Sequence, residues 1–295
     1  FTWYILPELS LKPTLYHFIR ETRDNSFEAY NEVQKNRNAS ASTSRSTETQ
    51  FDAIMNYKKS FFIHHNVNAI LGTSYIYDDY FSLSGSGYGA PTDNIKTLAG
   101  TVPETQRTDN SRTEDAMLSF FGRLTYDYQA KYLFSASLRK DGSSRYAKDN
   151  RWGVFPGLSA GWNIHKEPFW ESLRKQVSTF KLRSSWGQAG NNELSIADTQ
   201  GAYSIGYPYA GEVGILNTTL ANRTLKWETT TSFDIGADVG FFNDRLNLVT
   251  EIYQKVVSNR LFDQSLDGST GFSAIKSNYG SIKTRGVDIE LAANP

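Results

Sequence analysis

Charged side chains on alternate positions are the most regular chemical feature of this chain. Arg123 and Asp127, Arg139, Lys181 and Arg183, Asp234 and Asp238, and Asp288 and Glu290 each sit on the polar parity of an alternating segment. Cations and carboxylates interleaved in this way pair across strands or hold a packed element. Neither role makes them substrate contacts, and nothing in the spacing positions a general acid against a general base. Other candidates are weaker. Gly85-Ser86-Gly87-Tyr88-Gly89-Ala90 mimics a dinucleotide fingerprint, but Pro91 follows and no helix can start there, so the stretch reads as a loop hinge. Asp141-Gly142-Ser143-Ser144-Arg145 reads as a turn closed by an Asp141–Arg145 pair ahead of a binding site, and it lacks the acidic spacing of a calcium loop. His64-His65 has no carboxylate at ligand spacing, and adjacent strand residues point to opposite faces. Asp78-Asp79 and Glu114-Asp115 read as solvated acids flanking a long loop. No catalytic constellation emerges, and no cofactor or metal is implied.

One aromatic cluster is a candidate for ligand contact. Tyr203, Tyr207 and Tyr209 lie in Tyr203-Ser204-Ile205-Gly206-Tyr207-Pro208-Tyr209, inside the longest connection. Exposed phenol rings stack on the C–H faces of sugars, with hydroxyls adding hydrogen bonds. Packing within the loop, or docking against a lid protein, are the rival readings, and together they rank ahead of sugar contact.

The elements that must carry these residues are extended. Of 295 residues, 14% are aromatic and 22 are glycine, with no cysteine and four histidines. Disulfides and thiolate sites are excluded. Thirty-one basic residues balance 31 acidic ones, which argues against a nucleic-acid partner. No apolar run reaches the length of a membrane helix. Alternation is clean in Phe233, Ile235, Ala237, Val239 and Phe241, which oppose Asp234, Gly236, Asp238 and Gly240. Leu124, Tyr126 and Tyr128, then Tyr132, Phe134, Ala136 and Leu138, then Val287, Ile289 and Leu291 repeat it.

The spacing predicts about ten strands, near 9–20, 40–57, 62–77, 113–128, 131–139, 152–164, 179–187, 226–241, 245–257 and 281–292. Long connections at 21–39, 78–112, 140–151, 188–225 and 258–280 alternate with brief ones, the exception being 165–178, where Pro168 could open one helical turn. Long strands, short turns on one side and long loops on the other favour an antiparallel transmembrane β-barrel segment over a soluble sandwich. Aromatics gather near the strand ends, as at membrane interfaces: Phe61, Phe62, Tyr132, Trp162 and Trp170 at the short-turn side, Tyr75, Tyr77, Trp152 and Trp227 at the other.

Several segments resemble the SusC/RagA family of TonB-dependent outer-membrane transporters of Bacteroidetes. They are Arg139-Lys140-Asp141-Gly142-Ser143-Ser144-Arg145-Tyr146, Asn150-Arg151-Trp152-Gly153-Val154-Phe155-Pro156, Trp186-Gly187-Gln188-Ala189-Gly190-Asn191, Leu225-Lys226-Trp227-Glu228 and Asn278-Tyr279-Gly280 with Arg285-Gly286-Val287-Asp288-Ile289-Glu290. The match runs collinearly from about residue 51 to the end; residues 1–50 fit only as a barrel-like pattern. The resemblance implies import of oligosaccharides or peptides across the outer membrane, without enzymatic activity. It implies a SusD-like surface lipoprotein as partner, the TonB complex contacting a segment outside this chain, and outer-membrane lipid around the barrel. The charged stripe would line the lumen and could hold a plug.

Residues 1–295 are expected to form a partial barrel. The chain opens on Phe1 and closes on Leu291-Ala292-Ala293-Asn294-Pro295, so both ends are expected to be cuts, with signal peptide, TonB box, plug and final strands elsewhere. Plugged transporters use about 22 strands, so about ten would not transport alone. A surface carbohydrate-binding or adhesive β-protein without a transport role is the alternative, and a secreted β-sandwich hydrolase a third.

Overall fold

The computed structural model describes residues 1–33 and 36–293. Gln34-Lys35, within the expected connection at 21–39, and the terminal Asn294-Pro295 lie outside the described residues. In chain order the strands are β1 (Trp3–Leu6), β2 (Leu9–Glu28), β3 (Asn38–Phe61), β4 (His65–Tyr88), β5 (Arg107–Tyr128), β6 (Tyr132–Ser143), β7 (Trp152–Asn163), β8 (Val177–Asn191), β9 (Ala202–Tyr209), β10 (Glu212–Thr219), β11 (Glu228–Phe241), β12 (Leu246–Ser258), β13 (Leu261–Ser265), β14 (Ala274–Asn278) and β15 (Ile282–Ala293). One sheet holds them in the order β1-β2-β3-β4-β5-β6-β7-β8-β11-β12-β15; β9/β10 and β13/β14 are separate hairpins.

The ten expected strands are all present, but six are longer than the alternation predicts, β6 by running on to Ser143 and β8 by spanning Val177–Asn191. β3 and β4 have 24 residues each, β2 20 and β5 22, where a membrane crossing needs about 9–11. Much of the expected loops 21–39 and 78–112 is therefore strand. Gly85, Gly87 and Tyr88, expected in a hinge, belong to β4, and Tyr75 and Tyr77 lie mid-strand rather than at its end. Past the crossing no lipid imposes apolar–polar alternation, so runs such as Glu21–Glu28 in β2 and Asp78–Tyr88 in β4 carry backbone pairing without the pattern that betrays it. The loops expected at 188–225 and 258–280 contain the two hairpins and the short helix α1 (Ile196–Gln200), closed by a Ser195–Asp198 capping box.

The chain divides into two compact units. One comprises Thr14–Phe51 and Tyr75–Ala116, the extended parts of β2 to β5 with their connections. It is held by polar contacts: Ser26 to Ser40 and Ser82 to Ser111 at 2.8 Å, Arg112 donating to both oxygens of Asp79, and Arg37 to Asp93 at 2.7 Å. Asp79 and Glu114, expected as loop acids, thus flank Arg112 on paired strands.

The other unit comprises Phe1–Pro13, Asp52–Ser74 and the rest of the chain from Met117. Its register runs from β5 to β12 with one shift in the β8–β11 pairing, at Gly240/Phe241 beside the turn, and residues directly opposite one another share a face. Tyr126 faces Phe134, Leu124 faces Ala136, Ala136 faces Leu158, and Trp162 faces Leu182. Leu182 faces Ala237, Ile235 faces Ile252, and Ile252 faces Val287. The apolar parities of these seven strands thereby form one continuous face, largely exposed in the isolated chain.

Turns at one end are tight. Gln129-Ala130 between β5 and β6, Phe62-Ile63 between β3 and β4, and Phe242-Asn243-Asp244 between β11 and β12 all hold positive φ. Such left-handed pairs match the twist of antiparallel strands. The longer connection between β7 and β8 contains the expected helical turn, a 3₁₀ segment at Pro168–Leu173.

Candidate functional site

The opposite parity of the same sheet is polar, and all nine charges singled out from the sequence occupy it. Arg123 opposes Ser137, Arg139 opposes Phe121 and Phe155, Lys181 opposes Asp238 and Asn163, and Asp234 opposes Ser185. Asp288 opposes Glu251, and Glu290 opposes Val249. Asp127 accepts from the Asn66 amide at 3.1 Å and from the Ala130 backbone N–H, tying β4 to the β5–β6 turn.

The centre of this face is built around Arg183. It stands opposite Gly236, which stands opposite Glu251, so three strands bring these residues into one row. A Cβ on Gly236 would lie 2.8 Å from the guanidinium carbon. Glycine therefore lets Arg183 lie flat across β11 and reach Glu251 at 2.6 Å, while Asp238 is at 3.2 Å and Asp234 at 4.0 Å. Ser185 also donates to Asp234. One planar cation with several donors suits such a carboxylate set. Glu251 was not anticipated, although its place on the polar parity of the 245–257 segment was the available signal.

A second node lies toward the long-loop end. Arg139 donates to both oxygens of Asp141 at 2.7 and 2.8 Å and to Ser119 at 3.0 Å, with its guanidinium carbon 5.6 Å from the Phe121 ring centre. Asp141, expected to close a turn, is buried on β6 instead, because β6 runs on to Ser143. Two concavities open on the polar face. One of about 850 Å³ is lined by Lys59, Asp127, Lys181, Arg183 and Asp234, and one of about 740 Å³ by Arg123, Arg139, Gln188, Thr230 and Ser232. These walls present paired charges and hydroxyls, with no nucleophile held against a base.

The quoted sequence motifs meet where β6, β7, β8 and β11 end. Tyr146, Phe155, Leu194, Leu225 and Trp227 form one buried cluster against Met117 and Leu261. Trp227 donates to the Arg151 carbonyl at 3.1 Å and Tyr146 to the Asn191 carbonyl at 3.2 Å. Asn278 clamps Lys226 from both sides, accepting its N–H at 2.7 Å and donating to its carbonyl at 2.9 Å. Burial pushes the Tyr146 phenol up to about 12, with the Glu228 carboxylate adding to the effect. This cluster was not foreseen; Gly153 and Gly190 inside strands were its signal, because both lie under the Phe155 ring.

Tyr203, Tyr207 and Tyr209 share the exposed β9/β10 hairpin but not one face. Ile205 opposes Ile215 while Tyr207 opposes Gly214, so Gly206, at φ +96°, is an extra residue. The bulge puts Tyr203 on one face and Tyr207 with Tyr209 on the other. His65 bonds the Tyr126 hydroxyl at 2.8 Å and lies 4.8 Å from the Tyr128 ring centre.

Residues 1–294 match the family described as TonB dependent receptor-like, beta-barrel, so the first fifty residues are covered as well. The TonB-dependent receptor P39 of Formosa agariphila is 31% identical over 300 residues, which is 99% of this chain and 28% of that protein. The TonB-dependent receptor SusC of Bacteroides thetaiotaomicron is 34% identical over 192 residues, covering 62% of this chain and 19% of that protein. The structure of the RagAB peptide transporter superposes with a TM-score of 0.91 at 26% identity, over 99% of this chain and 33% of that one. The chain thus spans about a third or less of the relatives it matches. With a continuous apolar face, an opposed polar face and tight turns at one end, this chain belongs to the TonB dependent receptor-like β-barrel family, SusC/RagA type, of the outer membrane.

Proposed function

We propose that this chain is barrel wall of a TonB-dependent importer that takes up oligosaccharides or peptides together with a SusD-like surface lipoprotein. The observation that carries the reading is the segregation of the two faces across the paired strands of the main sheet from β5 to β15. The apolar face meets acyl chains and the polar face lines the lumen, where Arg183, Arg139 and their carboxylates hold the plug. The long-loop end faces outward, and Tyr207 and Tyr209 are the stronger pair for ligand or lipoprotein contact. Energy arrives from TonB through a segment outside this chain, the wall itself is not catalytic, and this portion alone does not transport. Deleting the full-length gene should abolish uptake of a labelled oligosaccharide or peptide pool, and losing TonB should do the same. Uptake that persists in both strains would refute the importer reading.

A further inference from the structure

The connection between β7 and β8 folds back against the strands at the short-turn end, with Trp170 packed on Phe180. Glu167 accepts from the Trp162 indole at 3.1 Å and from Lys131 at 3.2 Å, and the Tyr132 hydroxyl holds its carboxyl below the usual range. Tyr132 and Trp162 oppose each other on the apolar face. Trp170 packs on Phe180 with ring centroids 5.2 Å apart, and Phe180 opposes Val239 on that same face. The elbow from Ile164 to Gln176 therefore lies on the membrane-facing side of the sheet, at its edge.

Its outer surface is amphipathic. Phe169 is 64% exposed and Leu173 47% exposed, both on the 3₁₀ segment Pro168–Leu173. Lys166, Arg174 and Lys175 flank them, and all three are exposed. Arg174 pairs with Glu171, whereas Lys166 and Lys175 make no ion pair among the described residues. Glu167, the other acid of the elbow, is already engaged by Lys131.

An exposed ring and an exposed aliphatic side chain beside a lipid-facing band, bordered by cations, match the chemistry of an anionic bilayer surface. We infer that residues 164–176 form an interfacial anchor that binds anionic phospholipid headgroups in the leaflet at the short-turn end. Phe169 and Leu173 insert at the acyl boundary, and Lys166 and Lys175 meet the headgroup phosphates. This goes beyond the import reading and needs only the membrane location.

The test uses the full-length protein with one cysteine at Phe169→Cys, or independently at Leu173→Cys, labelled with an environment-sensitive fluorophore. Bilayers of phosphatidylcholine carry an equal fraction of brominated phosphatidylglycerol or brominated phosphatidylcholine. Brominated phosphatidylglycerol should quench more strongly at both positions, by up to about five-fold in apparent affinity per cation, and Lys166→Glu with Lys175→Glu should erase the difference. Equal quenching by the two lipids, or quenching by aqueous iodide alone, would overturn the assignment.

Discussion

Tyr146 and Trp227 stack with ring centroids 5.0 Å apart and planes 20° from parallel, joining the β6–β7 connection to the residue ahead of β11. Phe155 meets Trp227 edge-on at 5.6 Å, so Trp227 joins two rings from a much earlier stretch of the sequence in one small buried volume. Aromatic groups arranged this way contribute beyond the area they bury. They fix where the long connections leave the sheet.

That packing depends on missing side chains. Any Cβ on Gly190 would overlap the Phe155 ring, whereas one on Gly268 would meet nothing within 4 Å. Gly190→Ala should cost about 1–3 kcal/mol by overpacking, and Gly268→Ala less than about 0.5 kcal/mol. Denaturant unfolding of full-length variants in lipid measures both; equal losses would contradict the close approach.

The same cluster makes an alkaline prediction. Tyr146 titrates near 12 in the folded chain, against about 10 for an unperturbed tyrosine. A folded value above the unfolded one gives stability that is complete below about pH 10 and lost as pH rises toward about 12. The phenolate absorbance lost on Tyr146→Phe should therefore come in only near pH 12. A missing component at about pH 10 would mean the ring is wet.

The main strands and both faces could be read from alternation because lipid on one side and polar groups on the other impose a two-residue period. Phe233 to Phe241 and Val287 to Leu291 show it plainly. Where β2 and β4 continue through Glu21–Glu28 and Asp78–Tyr88, no such boundary exists, and these extensions were invisible. The Arg183 row was half legible: parity marked Arg183, Asp234 and Asp238, but only register shows that Gly236 lets the guanidinium reach Glu251. Asp141 was misread because Asp-Gly suggests a turn, while its pairing with Arg139 keeps it on the strand.

Depth along β11 gives a graded test of the apolar face. Ile235 lies between Ser184 and Ile252 in mid-sheet, while Phe241 is the last residue before the turn. Ile235→Arg should cost about 2–4 kcal/mol and Phe241→Arg about 0–1 kcal/mol. The same substitutions costing equally in lipid would contradict a membrane-spanning β11.

Backbone strain is testable at the turn after β3. Ile63 holds φ 64°, a region where a β-branched residue is rare. The left-handed conformation costs an L-residue roughly 1–2 kcal/mol, and glycine gives back about 0.5–1 kcal/mol in unfolded-chain entropy. Ile63→Gly should raise stability by about 0.5–1 kcal/mol, read as a higher denaturant midpoint. A lowered midpoint would show that the Ile63 side chain has packing that outweighs its strain.

Arg183 is the residue whose loss should be felt most on the polar face. Its side chain and those of Asp238 and Glu251 are each about 30% exposed or less, and Asp234 is 21% exposed, so solvent screens them incompletely. Removing the cation leaves three carboxylates facing one another, with Glu251 also opposite Asp288 on the next strand. Arg183→Met should destabilise the barrel, and Arg183→Lys should not restore it, because an ammonium cannot present a planar fork to separate acids. Adding Glu251→Gln to Arg183→Met should recover part of the loss, giving a coupling of about 0.5–3 kcal/mol in a double-mutant cycle. Additive effects would mean that the two residues are neighbours without interacting. In the importer reading, Arg183→Met should also loosen the plug, seen as a rise in passive leak of small solutes through the reconstituted full-length protein.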